Sequence, residues 1–251
     1  MPSVARISVA PVKGFLLEHP DEVDLTERGV VENRRFLLAD GEGNRLRSSL
    51  TAWPIVVRGS YDAAGETLRM SFPDGDVEGS ALGGDTVVRP QFSFGVVPAR
   101  VVPGPWTEKL AELAGHPVQL ARPEHPGECF PHVVAFHSKA SLARLEQEAG
   151  GPVDERRFRL LFTLDGCGEH EEDEWIGRRV RIGDAVVRVV VQVDRCATTT
   201  RHPETGVRDL DTLRLIKDYR GLRDGKYADF GVRADVEQPG RVRVGDDVVP
   251  L

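Results

Sequence analysis

Short runs of alternating apolar and polar residues fill the first third of the chain. Alternation with a period of two is typical of a strand with one buried face, so each run predicts a strand. These runs cover residues 4–9, 22–25, 35–39, 54–59 and 66–72. The loop at 40–44 carries two glycines and reads as a hairpin connection. Short strands at this spacing indicate a sandwich or a barrel.

The rest of the chain mixes strands with three helices. Helical stripes of apolar residues predict helices over 106–114, 139–149 and 209–220, and short apolar runs predict strands at 133–136, 159–164, 185–193, 232–236 and 241–244. Ser138 is a preferred residue type for a helix N-cap, and Gly115 and Gly150 are typical of helix ends. Residues 122–127 read as a loop and a candidate lid. We therefore predict a mainly β protein, a β-rich α+β fold with a few helices.

Composition narrows the function classes. The 251 residues can bury a sizeable core, and the formal net charge of −7 argues against a nucleic-acid partner. Arginines nevertheless cluster at 34–35, 45–47, 156–159 and 178–181, which is compatible with a small anionic ligand or simply with a solvated surface. With no signal peptide and no apolar run of membrane-spanning length, we expect a cytoplasmic protein without a membrane partner.

One cysteine lies in a sequence context that suits a nucleophile or a metal ligand. The valine-rich run at 185–193 leads to Arg195 and Cys196, and Pro203 and Gly206 punctuate a turn beyond them. A guanidinium beside a thiol favours the thiolate, which can act as a nucleophile or as a metal ligand. From the residues alone, Cys196 reads equally well as a buried core thiol.

Other motifs are weaker or missing. Cys129 and His132, and likewise Cys167 and His170, form two Cys-x-x-His pairs, formally enough for a Cys2His2 zinc site. Such short matches arise easily by chance, so we do not expect zinc. Neither Gly-x-Gly-x-x-Gly nor Gly-x-Ser-x-Gly occurs, and the chain lacks an obvious nicotinamide site. A redox cycle would therefore draw electrons from a separate protein.

The segment around Cys196 carries a family resemblance. Its pattern, Arg-Cys-x-x-Thr-Thr-x-x-Pro-x-Thr-Gly over residues 195–206, resembles MOSC proteins in the branch of the mitochondrial amidoxime-reducing component and its bacterial relatives. Further matches follow in order along the chain: Pro-Val-Lys-Gly at 11–14, Arg-Arg-Phe-Leu-Leu at 34–38, Ser-Lys-Ala-Ser-Leu at 138–142, Arg-Phe-Arg at 157–159, Glu-Asp-x-Trp at 172–175 and Arg-Ile-Gly at 181–183. The resemblance therefore spans nearly the whole chain.

The resemblance implies an architecture and a set of site residues. It implies an N-terminal β-rich domain over residues 1–100 and a MOSC β-barrel over residues 101–251, both contributing to one cofactor site. Cys196 would ligate molybdenum carried by molybdopterin, the molybdenum cofactor. The cofactor-binding positions it implies are Lys13, Gly14, Arg35, Ser138, Arg159, Arg195 and Thr199. If residues 34–35 lie in a strand, Arg34 points to the face opposite Arg35.

Some of these positions have plainer interpretations. Ser138 would cap its helix, Lys13 would be a turn lysine, and Arg159 would pair with Glu155 or Asp165. His202 stands where relatives usually carry an aspartate, so it is a candidate proton donor or a turn histidine. Gly14 lacks a hydroxyl common in relatives, and Leu161 replaces an amide that would contact the pterin.

Three functional hypotheses follow from the resemblance. In the first, the chain is a molybdenum oxidoreductase, independent of pyridoxal phosphate, that reduces small N-hydroxylated or N-oxide compounds with electrons from a separate reductase or ferredoxin-like protein. In the second, it carries the molybdenum cofactor or sulfur without reductase activity. In the third, it is a degenerate relative with an empty pocket.

Overall fold

A computed structural model describes residues 1–47 and 49–251, and strands dominate it. Strands make up 39% and helices 18%, which confirms the mainly β prediction. The strands are β1 (Ser3–Ile7), β2 (Glu22–Thr26), β3 (Gly29–Val30), β4 (Leu37–Asp40), β5 (Arg58–Asp62), β6 (Thr67–Phe72), β7 (Gly75–Ser80), β8 (Val87–Val88), β9 (Gln91–Phe92), β10 (Gly95–Val96), β11 (Ala99–Val101), β12 (Val118–Pro123), β13 (Val134–Ser138), β14 (Phe162–Asp165), β15 (Arg179–Ile182), β16 (Ala185–Asp194), β17 (Asp229–Gln238), β18 (Gly240–Arg243) and β19 (Val248–Pro250). The helices are α1 (Trp106–Ala114), α2 (Lys139–Ala149) and α3 (Thr212–Arg220).

The largest sheet is a nearly closed, barrel-like structure of seven strands. Its order is β1-β14-β13-β17-β16-β15-β19, and every neighbouring pair except β13 and β14 is antiparallel. The two ends of the sheet meet, because Ser3 bridges to Asp247 and the Val248 amide donates to Pro2 O at 2.8 Å. Closure pairs backbone groups that would otherwise lie at open strand edges.

Besides a cluster around Leu37, Phe92 and Ala121, three apolar clusters hold the elements together. The first fills the seven-stranded sheet with valine, leucine and phenylalanine side chains and Trp175. The second joins β4, β6, β12 and α1 around Phe15, Phe36 and Trp106, which are all fully buried. The third seats α2 and α3 against Phe158 and Phe230. Burial of side chains of this size stabilises a fold by about 1.5–3 kcal/mol each.

All three predicted helices are present, and α1 and α2 have the expected ends, whereas α3 begins at Thr212, three residues later than predicted. Ser138 caps α2, since its Oγ accepts a hydrogen bond from the Ser141 amide at 3.1 Å. Gly115 and Gly150 follow α1 and α2 with φ of 72° and 69°, in the left-handed region that glycine enters without strain. Residue identity at these ends therefore located the helices correctly.

Two predicted strands and one predicted loop are wrong in detail. Residues 54–59 begin with a 3-10 helix, Trp53–Val56, because Pro54 suits the first turn of a helix and not a strand interior. Residues 159–164 enter β14 only at Phe162, since Arg159 has a φ of 53° at the end of the 3-10 helix Glu155–Phe158. The predicted loop at 122–127 overlaps β12, which pairs with β4 and β11.

Strand pairings cross the boundary expected at residue 100. β1 pairs with β14, β2 with β18 and β4 with β12. The division into residues 1–100 and 101–251 stays a prediction. No helix in the described ranges is long and apolar enough to cross a membrane. The cytoplasmic location also stays a prediction.

Candidate cofactor site

Cys196 lies at the exit of β16, the strand whose valines fill the barrel core. The strand ends at Asp194, and the Arg195 amide donates to Ala228 O at 2.8 Å. Cys196 then starts the 3-10 helix Ala197–Thr200, and its side chain is exposed. Its Sγ lies 3.3 Å from Thr198 Oγ1. A rigid strand therefore presents an accessible thiol, which removes the interpretation of Cys196 as a buried core residue.

Thr199 anchors the loop that carries this thiol. Its Oγ1 donates to Cys196 O at 3.0 Å and lies 2.6 Å from Thr212 Oγ1 at the start of α3. Thr199 and Thr212 are both buried. The described contacts of Thr199, a predicted cofactor-binding residue, hold the loop in place.

Five neighbouring cations form what we call the cationic cluster: Lys13, Arg34, Arg45, Arg159 and Arg195. Arg34, Arg45 and Arg159 lie within electrostatic range of Lys13, and Arg45 and Arg195 lie within electrostatic range of Cys196. Their hydrogen bonds go to backbone carbonyls. Lys13 Nζ donates to Cys129 O at 3.1 Å, Arg34 Nη2 to Arg159 O at 2.5 Å, Arg159 Nη2 to Phe15 O and Arg195 Nη2 to Phe158 O. Across residues 1–47 and 49–251, none of the five forms an ion pair with a carboxylate.

Burial and mutual repulsion shift the pKa values of the cluster downward. Burial lowers the pKa of Lys13 to about 8, with the charge of Arg34 as the second cause. Burial, followed by the charge of Arg159, lowers the pKa of Arg34 to about 9. Burial also lowers the pKa values of Arg159 and Arg195 to about 10. Arg34 is buried and the other four cations are half-buried. Cations grouped with so little access to water are costly without a counter-charge, so this arrangement favours a bound anion.

Two side chains of the cluster hold free donors. The Nε atoms of Arg45 and Arg195 are buried, and neither has a hydrogen-bond partner among the residues that the structure describes. Unpaired buried donors are rare, because each lost hydrogen bond costs about 1–3 kcal/mol. An anion that accepts from these atoms would remove that cost.

Aromatic rings hold the cations in place. Lys13 Nζ lies 4.8 Å and the Arg34 guanidinium carbon 4.7 Å from the centre of the Phe130 ring. The Arg45 guanidinium carbon lies 4.2 Å from the centre of the Phe92 ring. Such cation–π contacts contribute about 0.5–2 kcal/mol each. Sequence reasoning missed both rings. It noted Arg45 only as part of a charge cluster.

Gly14 lets the chain turn directly after Lys13. Its φ is 107°, a region that side chains with a β-carbon rarely adopt, and the Phe15 amide closes the turn on Val12 O at 3.1 Å. The turn sets the Phe15 carbonyl where Arg159 binds it. Gly14 therefore shapes the cluster through backbone geometry.

Arg34, and not Arg35, enters the cationic cluster. The two arginines were expected on opposite faces of a strand, but Arg34 has a φ of 52° and both side chains are buried, at 9% and 4% exposure. The Arg35 guanidinium donates to Pro123 O at 2.6 Å and Glu124 O at 3.2 Å. Burial and the neighbouring Arg122 lower the pKa of Arg35. The left-handed residue breaks the alternation on which the expectation relied.

Ser138 lies in a different polar network. Besides capping α2, its Oγ donates to Gly168 O at 3.2 Å, and its amide donates to Glu172 Oε1 at 3.4 Å. Burial raises the pKa of Glu172. Within the described residues, the hydrogen bonds of Ser138 go to Ser141, Gly168 and Glu172, and none reaches the cationic cluster. The observed contacts of Ser138 are therefore those of a helix N-cap.

His202 organises the turn after the cysteine loop. Its Nδ1 accepts from the amides of Glu204 at 3.2 Å and Thr205 at 3.4 Å, while its own amide donates to Val207 O at 2.7 Å. These contacts match a turn histidine. The proposed role as proton donor stays a prediction.

The two Cys-x-x-His pairs face different surroundings. His132 Nδ1 lies 2.9 Å from Asp235 Oδ1, whereas the two ring nitrogens of His170 bond Tyr219 and Arg220. Burial raises the pKa of Cys129, and burial followed by the charge of Glu171 raises the pKa of Cys167 to about 12. Among the described residues, no three His, Cys, Asp or Glu side chains form a group suited to a metal ion.

Fold and site together describe a nearly closed, barrel-like sheet that presents an exposed thiol near a group of buried and half-buried cations. A model of the MOSC domain family matches residues 124–249, half of the chain. The chain belongs to the MOSC domain family.

Relatives and solved structures add detail. The chain is 38% identical over 122 residues to mitochondrial amidoxime-reducing component 1 of Mus musculus, covering 45% of this chain and 35% of the relative. It is 37% identical over 156 residues to mitochondrial amidoxime reducing component 2 of Homo sapiens, covering 58% and 43%. The chain thus spans less than half of either relative.

Among solved structures, the YUAD protein from Bacillus subtilis has a TM-score of 0.45 at 11% identity, covering 99% of this chain and 94% of that one.

Proposed function

We propose that the chain binds the molybdenum cofactor through Cys196 and the cationic cluster. One observation carries this proposal: five neighbouring cations have no carboxylate partner among the described residues, and two of them, Arg45 and Arg195, lie within electrostatic range of the exposed Cys196. A phosphate group matches the charge and the donors, and a soft thiolate matches a metal held through sulfur. The family membership and the relatives' names agree with this chemistry.

The residues have distinct roles in this proposal. Lys13, Arg34 and Arg159 would hold the pterin phosphate, and the free Nε donors of Arg45 and Arg195 would complete its hydrogen bonds. Thr199 keeps the thiol in position through the Cys196 carbonyl. When bound, the cofactor supplies a metal that exchanges an oxygen atom and two electrons.

The activity that we propose is reduction of small N-hydroxylated or N-oxide compounds. The two relatives are named for amidoxime reduction, which motivates the substrate class. Two electrons and two protons break the N–O bond and release water. The electrons would come from a separate protein, because the sequence carries no nicotinamide-binding motif.

Elemental analysis tests the metal ligand. Protein purified from a host that makes the cofactor is expected to hold near-stoichiometric molybdenum, and Cys196→Ala is expected to lose it. Cys167→Ala is the matched control, since the Cys167 thiol lies 4.0 Å from Asp165 O and makes no described contact with the cationic cluster. Wild-type protein without molybdenum from a competent host would contradict the proposal, as would equal loading of Cys196→Ala.

Turnover separates the enzyme from a carrier. The exposure of Cys196 also suits a protein that carries the cofactor or sulfur and hands it on. An enzyme loaded with molybdenum is expected to reduce benzamidoxime with reduced methyl viologen as donor. Full molybdenum loading without turnover would favour the carrier.

A further inference from the structure

A second group of arginines borders the site, and we call it the arginine rim: Arg47, Arg201 and Arg208. Arg201 donates to Gly206 O at 2.8 Å and to Leu50 O at 3.4 Å, and Arg208 donates to Ser49 O at 3.2 Å. Within the described parts of the chain, none of the three pairs with a carboxylate. Their positive charges are therefore uncompensated at the surface.

Two loops join to form this surface. A β-carbon placed on Gly206 would lie 2.9 Å from Ala52 Cβ, so the loop after Cys196 packs closely against the segment that follows Ser49. Each loop also presents a large apolar side chain. Leu50 is 71% exposed and Val207 is 60% exposed. The surface thus has apolar side chains among arginines, the arrangement of a protein-binding patch.

Nearby acidic groups leave the charge of the rim intact. Glu204 lies in the same turn, but its Oε1 pairs with Arg156 at 2.9 Å. Asp209 pairs with Arg157 at 2.7 Å. The whole chain has a formal net charge of −7, so the rim is a local positive region on an acidic protein. Such a region attracts and orients an acidic partner.

The rim lies close to the thiol. Arg201 directly follows the 3-10 helix Ala197–Thr200 that begins after Cys196. A 3-10 helix rises by about 2 Å per residue, so the backbone of Arg201 is within about 10 Å of that of Cys196. A protein docked on the rim would stand beside Cys196.

We propose that the arginine rim, with Leu50 and Val207, docks a small acidic one-electron carrier of the ferredoxin type. This inference rests on the proposed function, since it assigns the electron donor of the same site. Two reduced carriers each give up one electron per turnover. With two protons from water, these electrons break the substrate N–O bond, and the oxygen leaves as water while the nitrogen gains hydrogen.

Direct binding tests the docking surface. Oxidised plant-type [2Fe–2S] ferredoxin is titrated into the holoprotein by calorimetry at two salt concentrations. We expect binding that weakens with salt, and a Kd raised at least ~10-fold in the double variant Arg47→Glu/Arg208→Glu. The control is Arg28→Glu/Arg100→Glu, which makes the same charge change at exposed positions. Arg100 donates one bond to Gly84 O at 3.3 Å, much as Arg208 does to Ser49 O.

The outcomes distinguish this inference from the proposed function. Absence of ferredoxin binding to the wild type, or equal Kd values in the rim and control variants, would overturn the docking surface. The viologen-driven rate is expected to be unchanged in the rim variant, and a loss of that rate would also overturn it. Failure of the proposed function would show differently, as wild-type protein that lacks molybdenum or viologen-driven turnover.

Discussion

Arg34 Nη2 donates a hydrogen bond to the carbonyl oxygen of Arg159, 125 positions further along the chain, at 2.5 Å. This bond joins the segment before β4 to the segment before β14, and it brings two buried guanidinium groups together. Burial, followed by the charge of Arg159, lowers the pKa of Arg34. A bound anion would relieve the repulsion between these charges. Substitution of Arg34 therefore tests whether the cationic cluster binds an anion.

Arg34→Gln should lower the retained molybdenum about 10-fold or more, because it removes a charge and a donor from the proposed phosphate site. Arg35→Gln is the matched control, since the Arg35 guanidinium binds Pro123 O and Glu124 O instead. Molybdenum content is measured after purification and again after dialysis. If Arg35→Gln lost molybdenum while Arg34→Gln retained it, Arg35 and not Arg34 would be the arginine that holds the cofactor.

Lys13→Met should stabilise the cofactor-free protein at pH 7. Burial lowers the pKa of Lys13 to about 8 from an ordinary value of 10.5, so the charged form is disfavoured in the folded state. Between these pH values the unfolded chain binds more protons, and wild-type stability rises with pH. The advantage of Lys13→Met, on the order of 1–3 kcal/mol at pH 7, should therefore shrink toward pH 9.5. Urea unfolding at several pH values measures it, and a pH-independent difference would contradict the prediction.

The three cysteines should differ in reactivity. Cys196 is exposed, Cys129 is buried, and burial with the charge of Glu171 raises the pKa of Cys167 to about 12. Thiolate is the reacting form, so iodoacetamide at pH 8 should modify Cys196 first. Mass spectrometry of peptides from cofactor-free protein follows each site over time. Alkylation of Cys167 or Cys129 as fast as Cys196 would be inconsistent with the described environments.

Thr199→Val should cost about 1–3 kcal/mol of unfolding free energy, since it removes a buried hydroxyl that bonds Cys196 O and leaves Thr212 unpaired. Thr107→Val is the control. Thr107 also donates to a carbonyl three residues earlier, Gly104 O at 2.9 Å, but at an exposed position. The Thr107→Val substitution is expected to change the unfolding free energy by no more than about 0.5 kcal/mol. Equal costs in urea unfolding would argue against Thr199 as the anchor of the cysteine loop.

The local features of the fold were predictable from sequence. Helix α1 ends at Gly115 and α2 begins after Ser138, because caps depend on residue type at one or two positions. Strand β16 follows from its valines, whose branched side chains suit a buried sheet. The 3-10 helix at Pro54 was missed because alternation was given more weight than the constraint of proline.

The candidate site was predictable only in part. Cys196 stood out by its position after a strand, and the family resemblance pointed to Lys13 and Arg159. Arg34 and Phe130 did not stand out, since no local pattern links residues about 100 positions apart. A rule of alternation placed Arg34 on the wrong face, because its left-handed backbone turns both arginines into the interior.

Sequence alone determined the β-rich class, the three helices and the cysteine with its family resemblance, because these depend on local periodicity, caps and ordered motifs. Tertiary structure decided which cations share one buried site and which rings hold them. It also decided that Ser138 caps a helix away from the cluster contacts and that the rim arginines lack carboxylate partners among the described residues. Such relations depend on how distant segments pack. Whether two charges pair depends on the distance between them, and the order of residues in the sequence does not give that distance.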